Sequence, residues 1–478
     1  MQNQFNLIDE PWVPIAGVGR VGLRDIFQNA QYRDLGGSPI QKIAVFKFLL
    51  AIAQSAFSPK DKAQWKEMGP ERLAKKCLQY LEEWHDYFYL YGEKPFLQMP
   101  AVKRARALTY GSFLPHVSTG NTTIVTEIQV EHPISDADKA LVLIQEMGFA
   151  LAGKKADNKV VLTIGYTGKQ NAKGRPSSGR AGPGIGTQGF LHHFIMAPTL
   201  WESIWLNVLT QEEIEKTKMF PGGVGRAPWE LMPEGEDCTR ARELKSTYIG
   251  RLVPLSRFCL LTEHSMHYTE GVAHDNYREG INDLSIAVDS TVRLSKALWT
   301  DPEKRPWREL TSLLSFLAQK KTSGYHSWQL YFVLPRAREV LLEFCLFSAG
   351  LRVSSNAGEQ YISGSDDFVE SYIYMNSELI GDLWFEQVAF EVSELEKLAG
   401  MLSSKVKAYY DKFKENGSKF AAQAAGVFWQ LCEREFQYLL DNCDIDDEAL
   451  KRRRQIRIRI VHYLYEVYDQ FCPKQTAR

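Results

Sequence analysis

The C-terminal part of the sequence changes in character near Asn376, and this change most limits the possible fold. Proline is absent from there until Pro473, glycine becomes rare, and apolar residues recur at helical spacing through three or four long segments. Such spacing is typical of helices that pack on one another through local contacts. We therefore predict an α+β chain, with a large mixed α/β domain at residues 1–378 and a C-terminal four-helix bundle at residues 379–478.

The preceding residues carry signals of both strands and helices. A strand, a proline-broken turn and a second apolar run occupy Phe5–Ile15. Ser38-Pro39 precedes a strongly apolar run and predicts a helix start, because proline suits the first helical turn. Helical spacing predicts further helices over residues 70–91, 136–152 and 335–350.

Charge and cysteine usage narrow the class of protein. Lys and Arg number 57 and Asp and Glu 58, and the formal net charge of −1 argues against a free-standing basic nucleic-acid binder. Local basic patches remain compatible with this balance, because phosphates respond to charge within a Debye length. The seven cysteines form no C-x-x-C pair, which is typical of scattered thiols in a reducing compartment.

The sequence predicts neither export nor a membrane span. Met1 is not followed by a signal-peptide pattern. The most apolar run, Ile43–Phe57, contains Lys47 and Gln54 and is shorter than the roughly 20 residues that a membrane helix needs. We expect a soluble cytoplasmic protein with no membrane partner.

The most unusual stretch is GYTGKQNAKGRPSSGRAGPGIGTQG at Gly165–Gly189. It holds eight glycines, four basic residues and no acidic residue. Glycine lets a backbone approach a ligand closely, and Lys and Arg neutralise phosphate, so contact with nucleic acid is one interpretation. A surface loop with incidental lysines is the other, and the loop alone leaves both open. The G-x-G-x-x-G match at Gly184–Gly189 is rejected, because a strand-like run rather than a helix follows it.

Histidines and paired carboxylates are the candidates for chemistry. The histidines are His192-His193 and, near Cys259 in sequence, His264, His267 and His274, but no C-x-x-C or H-E-x-x-H motif joins them. Asp366-Asp367 and Asp446-Asp447 are more simply explained as loop residues or charges at a helix N-terminus. We predict no metal, no cofactor and no catalytic residue, and keep a nucleic-acid-modifying enzyme with a His/carboxylate site as an alternative.

The segment KRRRQIRIRI at Lys451–Ile460 carries six positive charges. On a helix, Ile456 and Ile460 would face other helices and part of the arginine set would face outward. We favour a solvated face that pairs with Asp444–Glu448 over a phosphate-binding stripe.

Several landmarks occur in an order that identifies a family. They are FNLIDEPWVPI at Phe5–Ile15, LRDIF at Leu23–Phe27, YFYLYGEKPFLQMP at Tyr87–Pro100, STGNTTI within 118–124, the glycine-rich basic segment, and LNVLT at Leu206–Thr210. Together with the C-terminal helices, they resemble the CasA-type large subunit of Cascade, the type I-E CRISPR surveillance complex. By this resemblance the aromatic turn around Trp12 packs as scaffold.

The resemblance implies a role without catalysis. Members of the family lie beside the 5′ end of the guide RNA, among the other Cascade subunits. They recognise a protospacer-adjacent motif in the double-stranded DNA target, promote duplex opening for guide-RNA pairing, and recruit the helicase–nuclease effector. A purely structural scaffold subunit is the remaining alternative.

The resemblance also implies roles for individual residues. A glycine-rich loop that enters the minor groove corresponds to Lys173, Gly174, Arg175, Ser177, Ser178, Gly179 and Arg180, a wedge that starts strand opening to Ser355, Asn356 and Ala357, and a basic finger to Arg278. The loop that anchors the subunit at the guide-RNA end corresponds to Thr119, Gly120, Asn121, Thr122, Thr123 and Ile124. Ser177-Ser178 and Asn356 depart from the family pattern, where further glycines and a central glutamine are familiar.

Overall fold

The protein is described by a computed structural model. The residues it describes are 4–113, 134–150, 156–157, 159–166, 189–274, 283–293, 295–317, 324–352 and 368–473. Small antiparallel sheets alternate with helices up to residue 376, and three long helices follow. This order confirms the predicted α+β class.

The strands are short except for one central hairpin. They are β1 Gln4–Asn6, β2 Val13–Ile15, β3 Gly19–Val21, β4 Tyr89–Tyr91, β5 Ala107–Thr109, β6 His192–Met196, β7 Arg257–Leu261, β8 Ser265–Glu270, β9 Val288–Asp289, β10 Lys296–Ala297, β11 Tyr325–His326, β12 Glu343–Leu351 and β13 Phe368–Asn376. They pair in the orders β1-β4, β2-β3, β5-β8-β7, β10-β9-β11 and β13-β12-β6. The last of these, the central sheet, places β12 between two antiparallel neighbours.

Helices lie between these strands and after them. They are α1 Leu23–Gln28, α2 Pro39–Ala56, α3 Lys62–Glu83, α4 Asp136–Phe149, α5 Leu200–Asn207, α6 Gln211–Thr217, α7 Thr239–Lys245, α8 Ile249–Leu252, α9 Leu310–Leu313, α10 Trp328–Val340, α11 Asp382–Asp411, α12 Gly417–Asp441 and α13 Asp447–Phe471. Among the helices of the described residues, none is both long enough and apolar enough to cross a membrane.

Helix α2 forms the centre of the N-terminal region. The Ser38 hydroxyl accepts a hydrogen bond from the Gln41 backbone N–H, and the Gln41 side chain accepts one from the Ser38 backbone N–H. This capping box and Pro39 in the first turn explain why the helix begins where the sequence predicts it. Its residues are buried almost all around, and it packs on α3, α4, α5 and the central sheet.

The aromatic turn at the start of the chain packs inward, as expected. Trp12 is fully buried, its ring lies 6.0 Å from that of Phe48, and its indole N–H donates a 2.8 Å hydrogen bond to the Leu7 carbonyl. A buried indole needs such an acceptor for its single donor. The interpretation of Trp12 as scaffold is confirmed.

Two helix predictions need correction. The helix predicted over 70–91 is α3, which begins earlier, ends at Glu83 and is interrupted at Gly69, whose φ of +63° is left-handed. The helix predicted over 335–350 is wrong in its second half, because α10 ends at Val340 and β12 begins at Glu343. A short apolar run that is buried on both faces has no periodicity that separates strand from helix.

Residues 382–473 contain three long helices, whereas a four-helix bundle is predicted for the C-terminal region. The 30 residues of α11 span roughly 45 Å at the usual rise per residue. Trp307, from the N-terminal region, packs against them, with its ring 4.4 Å from Phe436 and 5.7 Å from Trp429. The proposed domain boundary at residue 378 stays a prediction, two residues beyond the end of β13.

Candidate nucleic-acid interface

Each residue that the sequence assigns to the interface lies outside the described residues. Lys173–Arg180 falls within 167–188, Arg278 within 275–282, Ser355–Ala357 within 353–367, and Thr119–Ile124 within 114–133. The structure does describe the chain on either side of each segment. Those flanking residues establish where each segment begins and ends in the fold.

After the glycine-rich segment the described chain resumes at Gly189, directly before the central sheet. The Gly189 carbonyl accepts a 2.7 Å hydrogen bond from the Thr300 backbone N–H, and its φ of +64° favours glycine. Phe190 then pairs with Trp299, and their rings lie 5.0 Å apart. Strand β6 begins two residues later. This end of the segment is therefore fixed by backbone pairing.

The wedge segment joins the two strands of the central hairpin. The last register pair of β12 and β13 is Leu351 with Phe368, so residues 353–367 emerge from that end. Gly350 lies so close to the returning glycine-rich segment that a Cβ there would be 2.8 Å from the Phe190 carbonyl oxygen. The described residues next to these two segments are thus in direct contact.

The residues that follow the finger segment lie at the same end of the central sheet. Residues 275–282 end at Asp283, and three residues later Ile286 forms a β-bridge with His192, the first residue of β6. The His193 backbone N–H donates a 2.8 Å hydrogen bond to the Ser285 carbonyl. Since β6 pairs antiparallel with β12 through His192 and Ala349, this is the end at which the wedge hairpin emerges. Each of the three segments therefore has at least one described end at this end of the central sheet.

A buried polar network holds this end of the sheet. The Lys47 ammonium pairs with the Asp283 carboxylate, whose other oxygen accepts a 2.7 Å hydrogen bond from the Ser285 hydroxyl. The Ser285 hydroxyl is in turn hydrogen-bonded, at 2.9 Å, to Nδ1 of His192. All four side chains are nearly inaccessible to solvent. The network joins α2, β6 and the return of the finger segment.

Burial keeps His192 of this network and its neighbour His193 neutral. Burial, followed by the nearby Lys47 ammonium, lowers the pKa of His192 to about 3, and burial lowers that of His193 to about 3. Burial alone would raise the pKa of Asp283, but Lys47 and His192 lower it overall. His193 is hydrogen-bonded to Ser348, its register partner on β12, at 2.8 Å. Neutral, buried imidazoles that are hydrogen-bonded through Nδ1 suit a structural role.

Serine, histidine and aspartate occur together here, but not in the order of a hydrolase triad. A triad places histidine between the other two, so that the imidazole takes the serine proton. Here Ser285 lies between His192 and Asp283 and donates to the carboxylate. The site is also closed to solvent. The arrangement fixes backbone position and offers no nucleophile.

Sequence reasoning missed the Lys47–Asp283 pair. The signal was present, because Lys47 interrupts an otherwise apolar helix, and a buried lysine requires a partner. In the sequence alone, Lys47 argues only against a membrane span. The partner lies 236 residues away, so no local pattern could identify it.

The other histidines do not converge. His264 is exposed beside Glu263, whereas Nδ1 of His267 is hydrogen-bonded to the Ala105 carbonyl at 2.7 Å. His274 is half-buried, and its Nε2 is hydrogen-bonded to the Pro254 carbonyl. Within the described ranges no group of three His, Cys, Asp or Glu side chains could hold a metal ion. The hypothesis of an enzyme centred on His264 and His267 gains no support from this geometry.

Paired carboxylates and the basic helix have structural explanations where they are described. Asp446 caps α13 and accepts a 2.8 Å hydrogen bond from the Ala449 backbone N–H, as a helix N-terminal acid should; Asp366-Asp367 lies outside the described residues. In Lys451–Ile460, Ile456 and Ile460 are buried as predicted.

The arginines of that helix find different partners from those expected. Arg457 and Arg453 pair with Glu391 of α11, and Arg459 pairs with Glu435 of α12. Of the acidic run at 444–448, Glu448 pairs with Lys451, while Asp444 contributes only a backbone carbonyl to Arg453. The basic segment thus holds the three helices together.

The predicted anchoring segment leaves the fold at a different sheet. The chain enters residues 114–133 from Phe113, whose ring packs 4.9 Å from Tyr268 of β8. Nearby, the Tyr110 hydroxyl donates a 2.6 Å hydrogen bond to the Thr262 carbonyl. These contacts fix the start of the segment on the sheet of β5, β8 and β7.

Comparison with known proteins identifies the class. The profile of the family described as "CRISPR-associated protein Cse1" matches residues 6–466. The fold is that of crystallised Cse1 proteins: the Thermobifida fusca Cse1 structure aligns over 98% of this chain and 92% of its own, with 18% identity and a TM-score of 0.75. The chain belongs to the Cse1 family of CRISPR-associated proteins.

Two further relatives extend the comparison. CasA/Cse1 of Thermus thermophilus is 30% identical over 165 residues, and this match spans 31% of the present chain and 32% of that protein. A chain of a structure titled "CRISPR RNA-guided surveillance complex" aligns over 98% of this chain and all of its own, with 14% identity and a TM-score of 0.68.

Proposed function

We propose that this chain is the large subunit of a type I-E Cascade complex and recognises the protospacer-adjacent motif in double-stranded DNA. It then promotes duplex opening for guide-RNA pairing and recruits the helicase–nuclease, without catalysis of its own. Its family and the surveillance-complex relative support this assignment. Its partners would be the DNA target, the 5′ end of the guide RNA, the other Cascade subunits and the effector.

The observation that carries the proposal is that three segments meet the described fold at one place. The glycine-rich, finger and wedge segments each have a base at one end of the central sheet, around Phe190, Ile286 and Gly350. A reader of a short duplex motif needs groove contacts and a wedge within a few base pairs of each other. A sheet end held by a closed polar network gives the described ends of such segments a fixed spacing.

Each segment has its own task in this proposal. Lys173, Arg175 and Arg180 neutralise phosphates while the small residues between them approach the minor groove. Arg278 adds a cation to the same groove. Asn356 wedges under the last motif pair, which must offset a few kcal/mol of unstacking. Thr119–Ile124, which starts from the other sheet, anchors the subunit near the guide-RNA end.

The first experiment asks whether the chain reads a motif at all. The remaining Cascade subunits and guide RNA are mixed with matched duplexes that carry a library of flanking motifs, with and without this chain, and binding is measured by mobility shift. Selective binding that requires the chain supports the proposal. Binding that is identical without the chain would contradict it and favour the scaffold alternative.

Two variants separate motif contact from strand opening. Replacing Lys173, Arg175 and Arg180 by Ala should weaken target binding and reduce the slope of log affinity against log salt by roughly 2.7, at about 0.9 per lost phosphate contact. The Asn356→Ala variant should bind the closed duplex nearly normally but open it more slowly, as followed by 2-aminopurine fluorescence. An equal loss in both steps would contradict the wedge role.

A matched control variant removes three charges elsewhere. Arg72, Lys75 and Lys76 lie exposed on α3, and their replacement by Ala changes the net charge by the same amount. We expect its salt slope to equal that of the unaltered chain. If both triple variants lost binding equally, the effect would be one of overall charge and not of the glycine-rich segment.

A further inference from the structure

A second cluster of positive charge lies on the sheet of β5, β8 and β7, from which the predicted anchoring segment also starts. We call it the cationic ledge: Lys103, Arg104, Arg106 and Lys159, all exposed. Lys103 and Arg104 end the 3-10 turn Pro100–Arg104, and Arg106 directly precedes β5. The sequence contains no Asp or Glu from Lys94 to Thr126.

The backbone under the ledge is held firmly. The Met99 backbone N–H donates to the Cys259 carbonyl at 2.9 Å, and the Ala105 backbone N–H donates to Val102 at 2.8 Å. Val102 and Ala105 are buried between the cations, so the charged side chains must point away from the core. A charged group on a fixed backbone loses less freedom when it binds a ligand.

One carboxylate joins the two parts of the ledge. Oδ2 of Asp157 accepts a 3.0 Å hydrogen bond from the Arg106 backbone N–H, and Oδ1 accepts a 3.1 Å hydrogen bond from the Lys159 backbone N–H. Asp157 is itself held by its backbone N–H, which donates to the Tyr268 carbonyl at 2.9 Å. It therefore brings two cationic residues together while its own oxygens are occupied by backbone groups.

Some other exposed cations of the protein pair with carboxylates. Lys62 and Lys66 pair with Glu339, and Arg242 pairs with Asp237. In contrast, none of the four ledge side chains forms an ion pair or a side-chain hydrogen bond within the described part of the chain. Like charges held close together are unfavourable unless an anion joins them, and four cations against one carboxylate leave an excess of positive charge.

We propose that the cationic ledge binds the phosphodiester backbone of a nucleic acid. The inference deepens the proposed function and rests on it, because that function brings both guide RNA and duplex DNA to the subunit. A row of cations suits the repeated charge of a phosphodiester chain and carries no information about base sequence. The ledge thus contributes affinity and orientation, and the motif is read elsewhere.

The test uses the full chain with Lys103, Arg104 and Arg106 replaced by Gln. Its binding to a fluorescein-labelled single-stranded RNA of eight nucleotides and to a labelled duplex DNA is measured between 50 and 300 mM salt. If the ledge binds RNA, the slope of log affinity against log salt should fall by roughly 2 for RNA, with about a hundredfold weaker binding near 0.1 M salt. If it binds DNA, the slope for the duplex should fall by roughly 2.7.

Controls keep other causes apart. The triple Gln variant of Arg72, Lys75 and Lys76 should retain both salt slopes, and thermal unfolding should be unchanged in both triple variants because all substituted residues are exposed. A Lys159→Gln variant should produce about a third of the slope change. Unchanged binding to both probes would overturn the proposal, as would weaker assembly with the other subunits while both probes bind normally, since that would indicate an acidic protein partner.

The outcome is separable from that of the proposed function. Motif-selective DNA binding is judged by omission of the whole chain, whereas the ledge is judged by salt slopes of an otherwise intact chain. A chain that is required for motif selection but whose ledge variant binds both probes normally would refute the ledge alone.

Discussion

Two regions of the molecule bury a carboxylate beside a cation, and they do so differently. At the end of the central sheet, Asp283 has one buried ammonium, that of Lys47, which comes from a helix 236 residues away. Between the C-terminal helices, Glu391 has two arginines, the buried Arg453 and the half-exposed Arg457. The first arrangement holds the sheet end beside which three segments have described ends, and the second holds neighbouring helices together.

The difference predicts which of the two regions tolerates the loss of a cation better. A buried charge that loses its only partner remains uncompensated, whereas a charge with a second, partly solvated partner keeps one counter-ion. The sheet end should therefore be the less tolerant of the two regions. This suits a role in which the relative position of the three segments must not vary.

The largest effect is expected at the sheet end. The Lys47→Met variant keeps the length of the side chain but leaves Asp283 without its cation, and should reduce the free energy of unfolding by about 3–5 kcal/mol. Urea unfolding monitored by circular dichroism would measure it. The double variant Lys47→Met with Asp283→Asn should recover part of the loss, because no charge then remains buried; no recovery would argue that Lys47 acts through packing alone.

A smaller effect is expected in the helices. The Arg453→Met variant loses hydrogen bonds to Gln387 and to the Asp444 carbonyl, but Glu391 keeps Arg457, whose Nε lies 3.0 Å from Oε2. We expect a loss of about 2–3 kcal/mol in the free energy of unfolding. The exposed neighbour provides the control, since Arg454→Met should change stability by less than about 0.5 kcal/mol. A loss equal to that of Lys47→Met would remove the contrast between the two regions.

The two regions also differ in how far the sequence predicts them. The start of α2 at Ser38-Pro39 and the helical nature of 382–471 follow from caps and periodicity, which are local. The sequence predicts helix where strand β12 lies, because a strand buried on both faces gives no alternation of apolar and polar residues. The common origin of the three segments at one sheet end depends on pairings such as His192 with Ile286, and long-range pairings leave no local pattern.

Acidification should act on the sheet end through its buried histidines. Burial lowers the pKa of His193 to about 3, below the usual 6.5, so its contribution to stability is fully present above pH 6.5 and is lost as pH falls towards 3. Between pH 6.5 and pH 5 a single such histidine accounts for about 2 kcal/mol. The His193→Gln variant should therefore lose about 2 kcal/mol less stability than the unaltered protein over this interval, in urea titrations at both pH values.

The matching control is the exposed His264. Its replacement by Gln should leave the pH dependence unchanged, since its imidazole is open to solvent in the folded protein. If both histidine variants had the pH dependence of the unaltered protein, the acid sensitivity would belong to other groups and the account of a neutral, buried His193 would be wrong.

The smallest effect tests the contact between the two regions. Strand β13 is an edge of the central sheet, and the Gln437 side chain of α12 bonds to it as a neighbouring strand would. Its Oε1 accepts from the Tyr374 backbone N–H at 3.0 Å, and its Nε2 donates to the Tyr374 carbonyl at 2.9 Å. Because this contact is exposed, the Gln437→Ala variant should lose only about 1 kcal/mol of stability.

Hydrogen exchange in the peptide covering Phe368–Asn376 should nevertheless become faster in the Gln437→Ala variant. The control Gln430→Ala, an exposed change on the same helix, should leave this exchange unaltered. Equal exchange in all three proteins would mean that the helices cover this edge by packing and that the amide contact adds nothing to the coupling between the regions.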